Sequence, residues 1–158
     1  MMEKESLMMA MKNSISEVLE MMFFLPIDLP DIALSEGLWG SVTGDILSAR
    51  LGFSGPFSGY FIFCVPEKLA ASLTAGFLGR EEDSITENHV TETVTEILNM
   101  IAGNTFSILD NQSVFDLDIP EMVSFDDIRN RQNSSDNIMV IPVNTLENPL
   151  ELQMIINT

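Results

Sequence analysis

Cysteine is nearly missing from this chain. Cys64 is the only one in 158 residues, so no internal disulfide can form. It lies inside the apolar run Phe61-Ile62-Phe63-Cys64-Val65 and reads as a small core residue in a reducing compartment. Histidine is equally scarce: with His89 alone, and no second imidazole or thiol, a Cys/His zinc site is short of ligands and conventional nucleophilic catalysis is poorly supported. Basic residues are few, 7 Lys and Arg against 24 Asp and Glu, for a net charge of −17. Such a surface repels nucleic acid and anionic lipid, so neither is expected as a partner. It suits a cytoplasmic protein whose partner presents lysine or arginine. No apolar run approaches the roughly 18 residues of a membrane span. The Met-rich start carries Glu3, Lys4 and Glu5 and then a helical rhythm, unlike the basic start and unbroken apolar core of a signal peptide. A phosphate-cradling loop is missing too, because the segment 54–59 joins two predicted strands and holds no lysine. The acidic runs Glu81-Glu82-Asp83 and Asp126-Asp127 are adjacent in sequence and read as solvated loop charge rather than metal ligands.

The residues that are present describe an α/β domain of the α+β type. At 158 residues, 46% of them hydrophobic, the chain is long and apolar enough for a single domain, 1–158, with a proper core. Over 6–24, Met8, Met11, Ile15, Val18, Leu19 and Met22 make one helical stripe, ended by Pro26 and Pro30. Over 42–53, Leu47, Ala49, Leu51 and Phe53 alternate as in a strand; 54–59 is turn chemistry. The run 60–65 is apolar on both faces and predicts a central strand in a covered sheet. Pro66 opens a helix that Gly79 stops. Ser84 with Glu87 predicts a capping box for a long helix reaching Leu109. The segment 114–123 reads as extended with a break at Pro120, and 130–137 as a loop. A hairpin of 138–143 and 150–156 closes the chain, with Pro142 pointing to an edge strand or a bulge. Leu150, Leu152, Met154 and Ile156 alternate with Glu151 and Gln153, which predicts a half-buried last strand. Trp39 reads as a core or turn anchor.

One helical stripe carries the chemistry. Glu92, Glu96, Asn99 and Gly103, spaced four, three and four, share one face of the long helix, opposite Val90, Val94, Ile97, Ile101, Thr105 and Ile108. A carboxylate can hold a lysine. A carboxamide can both donate to and accept from a water. A glycine lets another protein's backbone come close. Together they equip a helix to reach into a partner's active site, although Glu-x-x-Asn alone is a common chance match and an ordinary solvated face would look similar. An internal repeat adds weight: 14–22 lines up with 93–101, matched in character at every position except Glu20 against Asn99. Two pseudo-equivalent helices are therefore expected, only one of which has the carboxamide.

The run Glu96-Ile97-Leu98-Asn99-Met100-Ile101-Ala102-Gly103-Asn104, followed by Pro120 in a strand-like segment, resembles the CheC/CheX/FliY group of chemotaxis phosphatases. The N-terminal helix, the glycine-containing hairpin and the Gly79 stop resemble its CheX branch, and the likeness covers most of the chain. It implies a CheC-like fold, a mostly antiparallel sheet covered by two long pseudo-equivalent helices and a shorter one. It also implies hydrolysis of the aspartyl-phosphate of a CheY-type response regulator. By match to the motif, Asn99 would be catalytic, positioning the attacking water, and Glu96 would pair with the regulator's lysine. Glu92 and Gly103 would contact the partner. The chain would need no cofactor of its own, the Mg²⁺ belonging to the regulator. Asn104 and Pro120 would be structural. CheX-type members are homodimers, which implies a second copy here. Two departures are visible: Glu92 stands where members often have Asp or Ser, and Glu17 and Glu20 leave the equivalent helix without a motif, favouring a single site. The alternatives are a non-catalytic module that binds a regulator or signalling partner, which tolerates a blocked Asn99, and a structural dimer subunit, which buries the stripe in its interface.

Overall fold

Alternation along the first strand decides which way the sheet faces. In the computed structural model, which describes residues 4–30, 39, 42–109, 114–131 and 137–157, strand β1 (Ile46–Ser54) turns Ala49, Leu51 and Phe53 inward. The other elements are helix α1 (Lys4–Ser16) with a π-helical turn (Glu17–Met22), β2 (Gly59–Pro66), α2 (Glu67–Leu78), a 3₁₀ turn (Glu82–Ser84), α3 (Glu87–Leu109), β3 (Asp116–Leu117), β4 (Glu121–Val123), α4 (Phe125–Arg131), β5 (Ile138–Val143) and β6 (Leu150–Ile156). All six strands join one sheet in the order β3-β1-β2-β6-β5, with β4 also paired to β1, and every pairing is antiparallel. The run 60–65 is indeed central, and Pro142 does lie on an edge strand. Pro66 immediately precedes α2, and Gly79, at φ +66°, ends that helix in the left-handed conformation a glycine adopts without strain.

Helices α1, α2 and α3 cover one face. Phe61, Phe63 and Val65 of β2 pack there with Met11, Ile15, Leu19, Ile97 and Ile101. Aromatic rings knit the hairpin to α3. The Phe53 ring meets those of Phe57, Phe61, Phe106 and Phe115 at 5.7, 5.5, 5.0 and 6.2 Å, and Phe106 stacks on Phe115 at 4.0 Å. This pins the chain just before β3 against the C-terminal half of α3.

The two repeat helices pack on each other. Ser14 Oγ donates to the Ile101 carbonyl at 2.6 Å, while Glu5 and Met9 near the start of α1 lie beside Ile108 and Leu109 at the end of α3, so the pair runs antiparallel. Leu19 and Leu98, which match in the repeat, are both fully buried.

Several expectations need correction. Helix α1 is not regular to 24: its last turn is π-wound, which rotates Met22 off the stripe and leaves it 52% exposed. Ile108 sits in the last turn of α3 at an open rim and is 41% exposed. Residues 130 and 131 finish α4 rather than starting a loop, and 132–136 of that expected loop lie outside the described residues. The last strand is buried on both faces, Glu151 and Gln153 included, because the far side of the sheet is also covered. There Ile62 and Cys64 pack with Ile128 of α4, Trp39 and Phe125. Trp39 meets Phe125 edge-on at 5.5 Å, an anchoring role. Burial pushes the Cys64 thiol up to about 12, and Ser48 Oγ donates to its sulfur at 3.3 Å. Burial also raises the Glu151 carboxyl above its usual range, against the opposing pull of the nearby Gln153 and Trp39 side chains. Gln153 Nε2 is buried without a hydrogen-bond partner among the described residues.

Candidate functional site

The start of α3 is set by a cap that differs from the expected one. Ser84 closes the 3₁₀ turn, donating to the Glu81 carbonyl at 2.8 Å. The reciprocal cap is Thr86 with His89. The His89 N–H donates to Thr86 Oγ1 at 3.2 Å, and the Thr86 N–H donates to His89 Nδ1 at 3.1 Å. An imidazole nitrogen here does what a glutamate does in the usual capping box. With both its backbone N–H and its ring engaged to Thr86, the only histidine is occupied in holding the helix start. The Thr-x-x-His spacing was legible in the sequence, but a histidine is a less familiar partner than a glutamate.

From that start the helix runs 23 residues, about 34 Å, as one rod. Thr93, Val94, Ile97, Leu98, Ile101 and Ala102 are buried, and the opposite face is open. Glu92 and Glu96 are exposed; Asn99 and Gly103 are half-buried. The four expected positions therefore lie along one accessible face. Between the carboxylates, Thr95 Oγ1 turns back to the Thr91 carbonyl at 2.9 Å, so it does not compete for them.

What distinguishes this face is which groups are already committed. Neither Glu96 nor Asn99 makes a side-chain hydrogen bond or ion pair with any described residue. Their counterparts on the other repeat helix do. Glu17 accepts from Asn104 Nδ2 at 2.8 Å, and Glu20 accepts from Ser16. Asn104 is thus a structural clamp between α1 and α3, half-buried rather than fully enclosed. The clamp was not foreseeable from spacing, since it joins residues 87 apart.

Gly103 has room. A Cβ built there would meet Leu117 of β3 at 4.0 Å, ordinary van der Waals contact. The chain's own packing does not require glycine at this point. Gly103→Ala is expected to keep the fold and to raise unfolding stability by up to about 1 kcal/mol, measured by urea denaturation, since alanine is the better helix former. Pro120 lies three residues beyond Leu117, half-buried between β3 and β4. Chemically, the face offers an anion for a cation and a neutral amide for a water. Among the described residues no three His, Cys, Asp or Glu side chains are grouped to hold a metal ion. No helix is long and apolar enough to cross a membrane among those residues.

Residues 47–144 match the family model described as chemotaxis phosphatase CheX. No curated relative matches the chain. Among solved structures the chain is similar to CheX of Borrelia burgdorferi in a complex with CheY, BeF3 and Mg²⁺, at 21% identity and a TM-score of 0.73, covering 95% of this chain and 97% of that one. It is similar to CheX of Vibrio vulnificus at 21% identity and 0.72, over 96% of each chain. A CheC-like protein of Shewanella oneidensis gives 19% and 0.74, over 98% of this chain and 100% of that one. At these identities the likeness is one of fold.

Proposed function

The chain belongs to the CheX family of chemotaxis phosphatases, and from that premise we propose that it hydrolyses the aspartyl-phosphate of a CheY-type response regulator. The observation that carries the proposal is the pair Glu96 and Asn99, one turn apart on the open face of α3 and without side-chain bonds among the described residues, while Glu17 and Glu20 are tied up. The Borrelia burgdorferi CheX–CheY complex supports the choice of partner.

In this mechanism α3 lies across the regulator's active site. Glu96 pairs with a lysine of the regulator and sets the register. The Asn99 carboxamide accepts from and donates to a water and holds it in line with phosphorus. The water oxygen bonds to phosphorus as the bond to the aspartyl oxygen breaks. The regulator's carboxylate leaves with that electron pair, and the water's second proton stays with the inorganic phosphate. An amide is too weak a base to take the proton, so its contribution is placement, which is most of what phosphoryl transfer asks of a protein. The Mg²⁺ belongs to the regulator, where it neutralises charge on the phosphoryl oxygens. Glu92 and Gly103 extend the contact, the glycine admitting the partner's backbone. A homodimer accompanies this reading, with the outer strand β5 available to a second copy.

The test is the decay of a phosphorylated CheY-type regulator with and without this chain. Acceleration supports the phosphatase. Binding without acceleration would replace it by the non-catalytic module. Glu96→Ala is expected to weaken regulator binding by at least about tenfold, because truncating one partner of a charge pair buried on binding costs about 2 kcal/mol or more. Unchanged affinity in a titration would remove the lysine contact. Gly103→Ala, stable by the expectation above, should weaken the same binding through the clash of its methyl with the partner.

A further inference from the structure

A groove over α2 lies apart from the α3 stripe and has two unlike halves. One is an apolar recess of about 250 Å³, walled by Phe23, Phe24, Leu25, Leu69, Leu73 and Leu146. The other, about 600 Å³, is lined by Asp45, Glu67, Glu82 and Glu147 with Lys68 as its single cation. Ser72 and Glu147 line both, so the halves are continuous. None of Glu92, Glu96, Asn99 or Gly103 borders either half.

The apolar half presents two large side chains to water. Phe24 is the one described non-glycine residue with positive φ, at 54°, in a region that bulky side chains rarely adopt. That conformation closes the helix end, where the Leu25 N–H donates to the Leu19 carbonyl at 2.9 Å, but the Phe24 side chain itself stays 85% exposed. Leu146, on the turn between β5 and β6, is 92% exposed at the same recess. Phe23 by contrast stacks on Phe77 of α2 at 4.9 Å, which fixes the wall behind Phe24. Water-facing apolar side chains on two walls of one recess mark a surface that something else covers.

We propose that this groove docks a segment of a partner protein that is apolar at one end and rich in lysine or arginine at the other. The charge on the page selects that occupant. Four carboxylates against one lysine attract a cationic segment, and a second copy of a chain with 24 acids and 7 bases brings mainly like charge. An anionic lipid surface is repelled for the same reason. Apolar side chains seat beside Phe24 and Leu146, and the basic end lies among Asp45, Glu67, Glu82 and Glu147. The docking is independent of the phosphatase reading.

The experiment uses the full chain and a fluorescent synthetic peptide with a lysine-rich half and a half containing leucine and phenylalanine. Its control replaces the lysines by glutamates. Anisotropy is expected to show binding of the first only, weakening as salt is raised. Amide chemical-shift changes should centre on Ser72, Gly76, Thr145 and Glu147. Glu67→Gln with Glu147→Gln, both at exposed positions, should lower affinity about tenfold, as should Leu146→Ala. Phe24→Gly should weaken binding while the melting temperature holds or rises, because glycine relieves the backbone. Any of four results would overturn the proposal: equal binding of both peptides, shift changes centred on the stripe 92–103, changes at the groove amides that follow chain concentration without peptide, or binding of phosphatidylserine vesicles through the groove.

Discussion

Asn99→Ala is expected to slow the chain's dephosphorylation of a CheY-type regulator by about 100-fold or more while leaving the fold unchanged. The two halves have separate causes. On the proposed mechanism the amide is the only group this chain contributes to holding the water, and loss of one well-placed polar group at a reacting centre typically costs about 10²–10³ in rate. On the stability side, Asn99 makes no side-chain hydrogen bond with any described residue, and its face of α3 is open. Its loss should therefore change unfolding free energy by no more than about 0.5 kcal/mol. Single-turnover decay of the phosphorylated regulator and urea denaturation of the same variant test both. Full activity in the variant would eliminate the water-positioning role. Lost activity with a large stability loss would make Asn99 structural.

The second large effect concerns the scaffold. Phe53→Ala should destabilise the chain by about 3–5 kcal/mol, the usual range for emptying a buried phenylalanine site. Phe53 is buried and its ring meets four others, one on the hairpin loop, one on β2, one on α3 and one just before β3. Removing it opens a cavity where three elements converge, and the rings around it cannot all move in. Denaturant midpoints for the two proteins measure the difference. A loss under about 1 kcal/mol would mean the cluster collapses onto the gap and is not the joint it looks to be.

Much of the architecture was legible because it rests on period. The alternation through Leu47, Ala49, Leu51 and Phe53 and the two-faced apolar run 60–65 specify strands and which of them is central. The four-three-four spacing of Glu92, Glu96, Asn99 and Gly103 needs only helical geometry to put them on one face. Errors fell where period gives way to local backbone or to the cover of a face. The π-turn displaced Met22, a histidine took the place of the expected glutamate in the cap, and Glu151 and Gln153 were placed half-exposed when Trp39 and α4 cover them.

The sequence by itself determined the composition of the site, the strand and helix pattern, the family resemblance, and the fact that one repeat helix carries asparagine where the other carries glutamate. Only the tertiary structure decided which of those polar groups are free. Glu17 is held by Asn104 across the helix pair, whereas Glu96 and Asn99 are left without partners among the described residues. That difference is invisible in spacing, because it depends on how two helices far apart in the chain cross, and a hydrogen bond between them exists only once the core has brought them together.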